Sequence, residues 1–261
     1  MLRVHIITIF PDYFAAPLAL SIPAKAAAAG SAEYRVINLR DFTHDRHRSV
    51  DDYPYGGGPG MVMSPPPFFE AVESLGATAP IVLLSARGPR FTQAHATRYA
   101  GGRELTLLCG HYKDVDQRVA DSLATEELSL GDFVLSGGEP AALAVIDAVV
   151  RLLPGAMSDL ESARGDSFHE RGVSAPGYTR PPEYRGLGVP GVLLSGDHQK
   201  IEQWRQAESD RLTRLRAERE RDHDVARERE IAEIDARERL ASEQEAKRIA
   251  KRARRNKARP D

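Results

Sequence analysis

Short apolar runs alternate with helix-like stretches from the first residues of the chain. Val4–Phe10 and Tyr34–Asn38 are apolar enough for buried strands. Between them, Ile22–Ala29 has the composition of a short helix, and Ser21 stands where its side chain can cap that helix. This rhythm of strand and helix predicts an α/β domain.

The pattern continues along the chain. Ile81–Leu84 and Leu105–Cys109 are strand candidates that run straight into loops containing glycine, and Phe133–Leu135 is a third apolar patch. A helix is predicted to open at Pro140 and to run to about Leu153, where a Pro-Gly pair stops it. We therefore expect the α/β domain to span 1–155.

Beyond residue 155 the composition changes. Small, polar and charged residues predict a linker over 156–172, and a smaller helical domain should occupy 173–210, with a helix after Ser195-Gly196-Asp197. Between 211 and 261, 29 of 51 residues are charged in mixed order, and the apolar positions are too irregular for heptads. This predicts a long, charged, solvated helix or a disordered tail rather than a coiled coil.

The bulk composition fits a soluble protein. With 261 residues, 41% of them apolar, the chain can bury a core, and the single Cys109 cannot form an internal disulfide. Charged and proline residues interrupt the alanine-rich segment 15–29, and no run is long enough to cross a bilayer. We expect a cytoplasmic protein without a membrane partner.

Charge is unevenly distributed along the chain. Residues 1–210 hold 19 Lys and Arg against 26 Asp and Glu, whereas residues 211–261 hold 17 against 12. The final Lys247–Asp261 has eight basic residues and one acidic residue. That basic end suits phosphates, and a solubilising tail explains it equally well.

The densest polar segment is Arg40–Met63, with the sequence RDFTHDRHRSVDDYPYGGGPGMVM. Its histidines and aspartates have the residue types of a metal site, but one short spacing is a weak signal. Its glycines could cradle a phosphate, but no GK[ST] follows them. In a third interpretation, a mobile loop closes over a nucleotide with His44, Arg46 and Asp51 as polar contacts. An ordinary polar turn is the remaining alternative.

No G-x-G-x-x-G motif follows the first strand, so neither a dinucleotide fold nor the common glycine loop of methyltransferases is indicated. Three predicted strand ends carry loop residues, at 85–88, 110–116 and 130–138. In α/β proteins, ligands bind at the carboxyl edge of the sheet, where such loops meet.

Five strings, in order over residues 1 to about 205, together resemble one family. They are the Arg40–Met63 string, LLCGHYKDVDQRV, LSLGDFVLSGGEPAAL, GYTRPPEYRG and VPGVLLSGDH. The chain resembles the bacterial tRNA (guanine-N1)-methyltransferases of the SPOUT superfamily. The resemblance implies a trefoil-knotted parallel-sheet domain, a small helical domain, and a homodimer whose active site is shared between subunits. It also implies transfer of a methyl group from S-adenosyl-L-methionine to N1 of the guanosine 3′ of the anticodon, tRNA position 37.

The resemblance assigns roles to individual residues. The cofactor loops of the family fall on Ser85, Gly88, Gly110, Tyr112, Leu130, Gly131, Asp132, Phe133, Val134, Leu135 and Gly137. The residues predicted to bind tRNA are His44, Arg46, Asp51, Tyr178, Arg180 and His198. No residue is assigned to a metal, and assistance by Mg²⁺ is left open.

The general base of the family falls on Asp166 in the string GDSF, and its supporting arginine falls on Arg151. The chemistry needs such a pair, because guanine N1 carries a proton at neutral pH and is a poor nucleophile until a base removes it. As the proton leaves, negative charge spreads to O6, where a guanidinium can stabilise it.

Two departures from the family pattern fall in these loops. Lys113-Asp114 stands where many members have Glu-Gly, which leaves the electrostatics of the methionine end open, and Ala86-Arg87 stands where a proline commonly follows the serine. Two alternatives to the proposed activity remain. One is an RNA-binding protein of this fold that has lost catalysis, and the other is a ribose 2′-O-methyltransferase of the same superfamily.

Overall fold

The computed structural model describes residues 1–77, 80–157, 166–168 and 172–257, with side chains up to residue 239. The chain divides into two compact units, Met1–Glu170 and Arg171–Asp261. The predicted linker over 156–172 lies largely outside the described residues, and the four-part division of the chain stays a prediction. Within the described ranges, no helix has both the length and the apolar content needed to cross a membrane.

Strands of the first unit alternate with its helices. The strands are β1 (Leu2–Thr8), β2 (Ala32–Asn38), β3 (Asp51–Asp52), β4 (Val62–Met63), β5 (Ile81–Leu84), β6 (Glu104–Cys109), β7 (Asp114–Val115) and β8 (Glu126–Leu128). The helices are α1 (Ala15–Leu18), α2 (Ser21–Ala28), α3 (Pro65–Leu75), α4 (Gln93–Ala100), α5 (Gln117–Ser122) and α6 (Glu139–Val150).

The main sheet has five parallel strands in the order β2-β1-β6-β5-β8. The predicted α/β class with a parallel sheet is confirmed, and the trefoil knot stays a prediction. Because β6, β5 and β8 are neighbours that run in one direction, the loops that follow them leave the sheet at the same edge. A second, small sheet has the strand order β3-β4-β7, with β4 and β7 parallel, and its strand β7 follows β6 in the sequence.

The central strands β1, β5 and β6 are buried on both faces of the main sheet, which explains why they are largely apolar. Val4 and Ile6 of β1 belong to the core cluster that also contains residues of α2, α4 and α6. Ile7 belongs to the cluster on the other face, with residues of α3 and α5. The two helical layers therefore fix the sheet that carries the loops.

One local prediction was wrong. Ser21 does not cap α2 but is its first residue, with φ of +53°, after an extended Leu20, and no side chain caps this helix. The apolar patch Phe133–Leu135 lies in an exposed loop, and the strand in this region is β8, which the sequence did not predict. In β8, Glu126 accepts a hydrogen bond from Arg98 of α4 (2.6 Å) and Leu128 is buried, so tertiary contacts stabilise a strand with two glutamates.

The second unit contains the hairpin of β9 (Glu183–Tyr184) and β10 (Leu187–Gly188), the short α7 (Gly191–Leu194) and the long α8 (His198–Lys257). The predicted helix after Ser195-Gly196-Asp197 is confirmed. It continues without a break past residue 210, and its side chains from Glu218 to Arg239 are exposed to solvent. Over these residues the predicted solvated helix is confirmed.

Candidate functional site

The loops at the carboxyl ends of β5, β6 and β8 enclose a pocket of about 970 Å³, a volume that includes its open mouth. The first loop contributes Ser85–Arg87, the second Gly110–Asp114 and the third Ser129–Leu130 and other residues up to Gly138. Apolar side chains at the strand ends, including Leu84, complete the lining. The pocket therefore lies where open parallel sheets bind their ligands.

The structure brings together most of the residues that were predicted to bind the cofactor. Nine of the eleven line this pocket: Ser85, Gly110, Tyr112, Leu130, Gly131, Phe133, Val134, Leu135 and Gly137. Phe133 and Val134 are 56% and 97% exposed, so this loop presents apolar surface that a ligand could cover. The assignment of these residues to the cofactor stays a prediction.

Gly88 and Asp132 are not part of the pocket lining. A Cβ atom on Gly88 would lie 2.5 Å from both the carbonyl carbon of Glu127 and the amide nitrogen of Leu128. Glycine is needed here because the loop after β5 lies directly on the backbone of β8. Asp132 forms an ion pair with Arg90 (2.6 Å), which orders the third loop.

The second and third loops also pack backbone against backbone. The Gly138 amide donates to the carbonyl oxygen of Gly110 (2.8 Å), and a Cβ on Gly138 would lie 2.8 Å from Cα of Cys109. Next to it, a Cβ on Gly137 would collide with the side chains of His111 and Glu139. These glycines fit because any side chain would push the two loops apart.

A buried polar group lies beneath this contact. Glu139 is 3% exposed and accepts a hydrogen bond from the Thr8 hydroxyl (2.7 Å), and its other oxygen lies 4.0 Å from Nδ1 of His111. Burial, with the negative charge of Glu139 nearby, raises the pKa of the Cys109 thiol well above its usual range. Cys109 is therefore a neutral core side chain rather than a nucleophile.

Sequence reasoning did not assign several pocket residues to the cofactor, among them Arg87, His111 and Lys113. Arg87 forms an ion pair with Asp114, with Nη1 3.1 Å from Oδ2 and Nη2 3.2 Å from Oδ1. This ion pair joins the first and second loops across the pocket. The sequence offered two signals for these residues. Arg87 and His111 lie between assigned residues of their loops, and Ala86-Arg87 and Lys113-Asp114 depart from the family pattern.

The polar segment Arg40–Met63 contacts the second loop. Arg40 donates to the Tyr112 hydroxyl (3.5 Å), and the Lys113 amide donates to the carbonyl oxygen of Met61 (3.1 Å). Asp45 accepts hydrogen bonds from the Ser49 amide (2.8 Å) and the Ser49 hydroxyl (3.0 Å), and the Ser49 amide is the main cause that lowers the pKa of Asp45. The segment is thus an internally bonded loop beside the pocket.

Three residues of this segment, His44, Arg46 and Asp51, were predicted to bind tRNA, and each has a different environment. His44 is exposed and lies 2.8 Å from Glu70 of α3, Arg46 is exposed, and Asp51 lies in β3, paired with Met63. Among the described residues, no group of three His, Cys, Asp or Glu side chains is arranged to hold a metal. The metal interpretation of the segment therefore gains no support.

Arg151 and Asp166 contact each other directly. Nη2 of Arg151 lies 2.5 Å from Oδ2 of Asp166, and the side chains are 31% and 44% exposed. Arg151 follows the last residue of α6, so the helix holds its backbone in place. Neither residue lines the pocket of its own chain.

The remaining predicted contacts lie in the second unit. Tyr178, Arg180 and His198 are all exposed, and His198 is the first residue of α8. The Tyr178 ring lies 6.3 Å from the partly buried Trp204 ring. The partly buried Trp204 ring is thus a neighbour of the exposed Tyr178 ring.

Comparison with known proteins agrees with this architecture. The family profile described as tRNA (Guanine-1)-methyltransferase TrmD matches residues 2–221. A protein of Geobacillus kaustophilus named tRNA (guanine-N(1)-)-methyltransferase is 47% identical over 218 residues, which cover 82% of this chain and 89% of that protein. Proteins with the same name from Gloeobacter violaceus and a Synechococcus strain are 49% and 51% identical, covering 84% and 78% of this chain and 96% and 81% of their own lengths. The chain therefore belongs to the tRNA (Guanine-1)-methyltransferase TrmD family.

Proposed function

We propose that this protein transfers a methyl group from S-adenosyl-L-methionine to N1 of the guanosine 3′ of the anticodon, position 37 of tRNA. The observation that carries the proposal is the pocket at the sheet edge, which gathers nine of the eleven loop residues expected to bind the cofactor. Family membership over residues 2–221 supports the reaction type.

The pocket suits a nucleoside with an amino-acid tail. Gly110 and Gly138, which are joined by a backbone hydrogen bond, belong to its lining, and Leu130, Val134 and Leu135 supply apolar surface for an adenine ring. The charged side chains that line it, Arg87, Lys113 and Asp114, suit the zwitterionic methionine end. When bound, S-adenosyl-L-methionine supplies an electrophilic methyl group on its sulfonium sulfur.

In the proposed mechanism, the Asp166 carboxylate removes the proton from guanine N1. N1 then attacks the methyl group, the bond from the methyl carbon to the sulfonium sulfur breaks, and the neutral thioether S-adenosylhomocysteine is the leaving group. The Arg151 guanidinium stabilises the negative charge that develops on O6. The contact between Arg151 and Asp166 supports this assignment, because it holds the base and the cation on neighbouring positions. Binding of guanine would place its N1–C6–O6 edge against these two groups.

We also propose that the active site is shared between two subunits of a homodimer. Arg151 and Asp166 do not line the pocket of their own chain, so the partner's pocket is the simplest place for them to act. The exposed Tyr178, Arg180 and His198 of the second unit would contact tRNA together with His44, Arg46 and Asp51. A cytoplasmic location suits a tRNA-modifying enzyme.

The decisive experiment locates the methyl group on product tRNA. The full-length protein is incubated with methyl-labelled S-adenosyl-L-methionine and a tRNA transcript with guanosine at position 37, and the product is digested and analysed by mass spectrometry. We expect 1-methylguanosine at position 37, and no transfer to a matched transcript with adenosine there. The same assay with added Mg²⁺ or with EDTA measures whether the ion assists.

Other outcomes would replace the proposal. A methyl group on a ribose 2′ oxygen would identify a 2′-O-methyltransferase. Tight binding of tRNA with no transfer, in a protein that also fails to bind the cofactor, would identify an RNA-binding protein of this family.

A further inference from the structure

The pocket lining contains three charged side chains, those of Arg87, Lys113 and Asp114. They differ in whether an ion pair neutralises their charge. Arg87 forms an ion pair with Asp114 through contacts of 3.1 and 3.2 Å, and it also lies 3.8 Å from Glu127, which is outside the pocket lining. Lys113 has no carboxylate within ion-pair distance in the part of the chain that the structure describes. The Lys113 ammonium therefore carries a positive charge at the pocket wall that no ion pair of the described residues neutralises.

The glycine run of the Arg40–Met63 segment holds the Lys113 side chain in place. A Cβ on Gly60 would lie 3.3 Å from Cβ and 3.6 Å from Cδ of Lys113, and a Cβ on Gly58 would lie 3.9 Å from its Nζ. The aliphatic stem thus packs along the glycine backbone, while the Lys113 amide is tied to Met61. This packing limits the rotamers of the side chain and lowers the entropy cost of using its charge.

We propose that the Lys113 ammonium binds the carboxylate of the methionine moiety of S-adenosyl-L-methionine. The inference rests on the proposed function. The sulfonium and the amino group of the ligand are cationic, so its carboxylate is the single anionic group that can approach a positive pocket wall favourably. Lys113 is then a residue that determines how tightly the amino-acid end is bound, and the adenosine end is bound independently of it.

The test is a set of calorimetric titrations with three ligands. S-adenosylhomocysteine and S-adenosylmethionine carry the carboxylate, whereas 5′-methylthioadenosine keeps the adenosine and the thioether but lacks the carboxylate and the amino group. We expect Lys113→Met to weaken S-adenosylhomocysteine binding by about three- to tenfold and to leave 5′-methylthioadenosine binding unchanged. Lys113→Arg should retain most of the affinity, and the loss should shrink at high salt. The matched control is Lys25→Met, at an exposed lysine of α2 outside the pocket.

The remaining outcomes contradict the inference. Unchanged or tighter binding of S-adenosylhomocysteine to Lys113→Met would show that the carboxylate lies elsewhere. An equal loss for both S-adenosylhomocysteine and 5′-methylthioadenosine would show a damaged loop. Weaker binding of tRNA with unchanged binding of S-adenosylhomocysteine would assign the ammonium to an RNA phosphate. If the unmodified protein bound none of the three ligands, the proposed function itself would fail.

Discussion

At the scale of single residues, the most specific chemical role that we propose is that of Asp166 as the base. We expect Asp166→Asn to reduce methyl transfer by about 10²-fold or more, because the amide cannot take the proton from N1. Affinity for S-adenosylhomocysteine should be nearly unchanged, since Asp166 does not line the pocket of its own chain. Single-turnover kinetics and calorimetry measure the two quantities. Asp121→Asn, at an exposed carboxylate of α5, is the isosteric control.

Near-normal turnover of Asp166→Asn would reassign the base. Arg151→Ala is a companion variant, because loss of the guanidinium should also slow the chemical step. A weaker affinity for the cofactor with an unchanged rate of transfer would contradict the role of Arg151 at O6.

A second prediction concerns Gly88, which lies against the backbone of β8. A Cβ there would lie 2.5 Å from backbone atoms that cannot rotate away, so Gly88→Ala should destabilise the first unit by about 1–3 kcal/mol. Binding of S-adenosylhomocysteine should weaken as well, because the loop shifts. Gly101→Ala is the control, since a Cβ there meets its nearest atom at 3.6 Å. Equal melting temperatures for both variants would contradict this explanation.

Gly88 and Asp132, the two predicted cofactor residues that do not line the pocket, show the limit of prediction from sequence at this scale. The motif strings identify the loops, and nine of the eleven residues that were predicted to bind the cofactor line the pocket. They cannot separate a residue that faces the ligand from one, such as Gly88, whose role is to let two backbone segments meet. Nor can they foresee that Asp132 would be held by Arg90, because that pair depends on how the first and third loops pack.

At the scale of elements, the ion pair between Arg87 and Asp114 connects the loop after β5 to β7. Both side chains are nearly half exposed, at 48% and 45%, so solvent screens the pair and its contribution should be modest. We expect a double-mutant cycle of Arg87→Ala and Asp114→Ala to give a coupling free energy of about 0.3–1 kcal/mol for binding of S-adenosylhomocysteine. Calorimetry on the four proteins measures it.

Additive effects of the two substitutions would show that the loops do not need this ion pair to form the pocket. The cycle corrects for the loss of either side chain alone, which matters because Arg87 also lies 3.8 Å from Glu127. A coupling that disappears at high salt would confirm an electrostatic origin.

Element prediction worked where burial and sequence pattern agree. The strand Ile81–Leu84 is buried at all four positions, and its predicted ends match the structure. Strand β8 was not predicted because Glu126 and Glu127 are not apolar, whereas the apolar patch Phe133–Leu135 lies in an exposed loop. The pattern of a single sequence does not distinguish a short apolar run in a pocket-lining loop from a buried strand.

At the scale of the whole molecule, the shared active site can be tested by complementation. One chain carries Asp166→Asn with an intact pocket, and the other carries Gly137→Val, which fills the space between His111 and Glu139 and blocks the pocket. If the sites are shared, co-refolded heterodimers contain one intact site, so we expect activity to return in the mixture. Each variant alone should be inactive. A mixture as inactive as its parts, with heterodimers verified by native mass spectrometry, would contradict a shared site.

The last prediction concerns the charged end of α8, a helix of 60 residues that is about 90 Å long at about 1.5 Å per residue. The first 210 residues have an excess of acidic groups, whereas Lys247–Asp261 has eight basic residues and one acidic residue. A polyanion such as tRNA should therefore be attracted mainly by this end of the chain. We expect truncation after Ala246 to weaken tRNA binding and to flatten its salt dependence.

The change in salt dependence gives the number of phosphate contacts that the basic end makes. Each lost contact removes about one unit from the slope of log affinity against log salt concentration. Fluorescence anisotropy with labelled tRNA at several salt concentrations gives both affinity and slope. Binding of S-adenosylhomocysteine should be unchanged, since the pocket lies in the first unit. Replacing the basic residues of Lys247–Asp261 by glutamine in the full-length protein separates charge from helix length. Equal affinity and equal slope for all three proteins would leave the basic end as a solubilising or protein-binding extension.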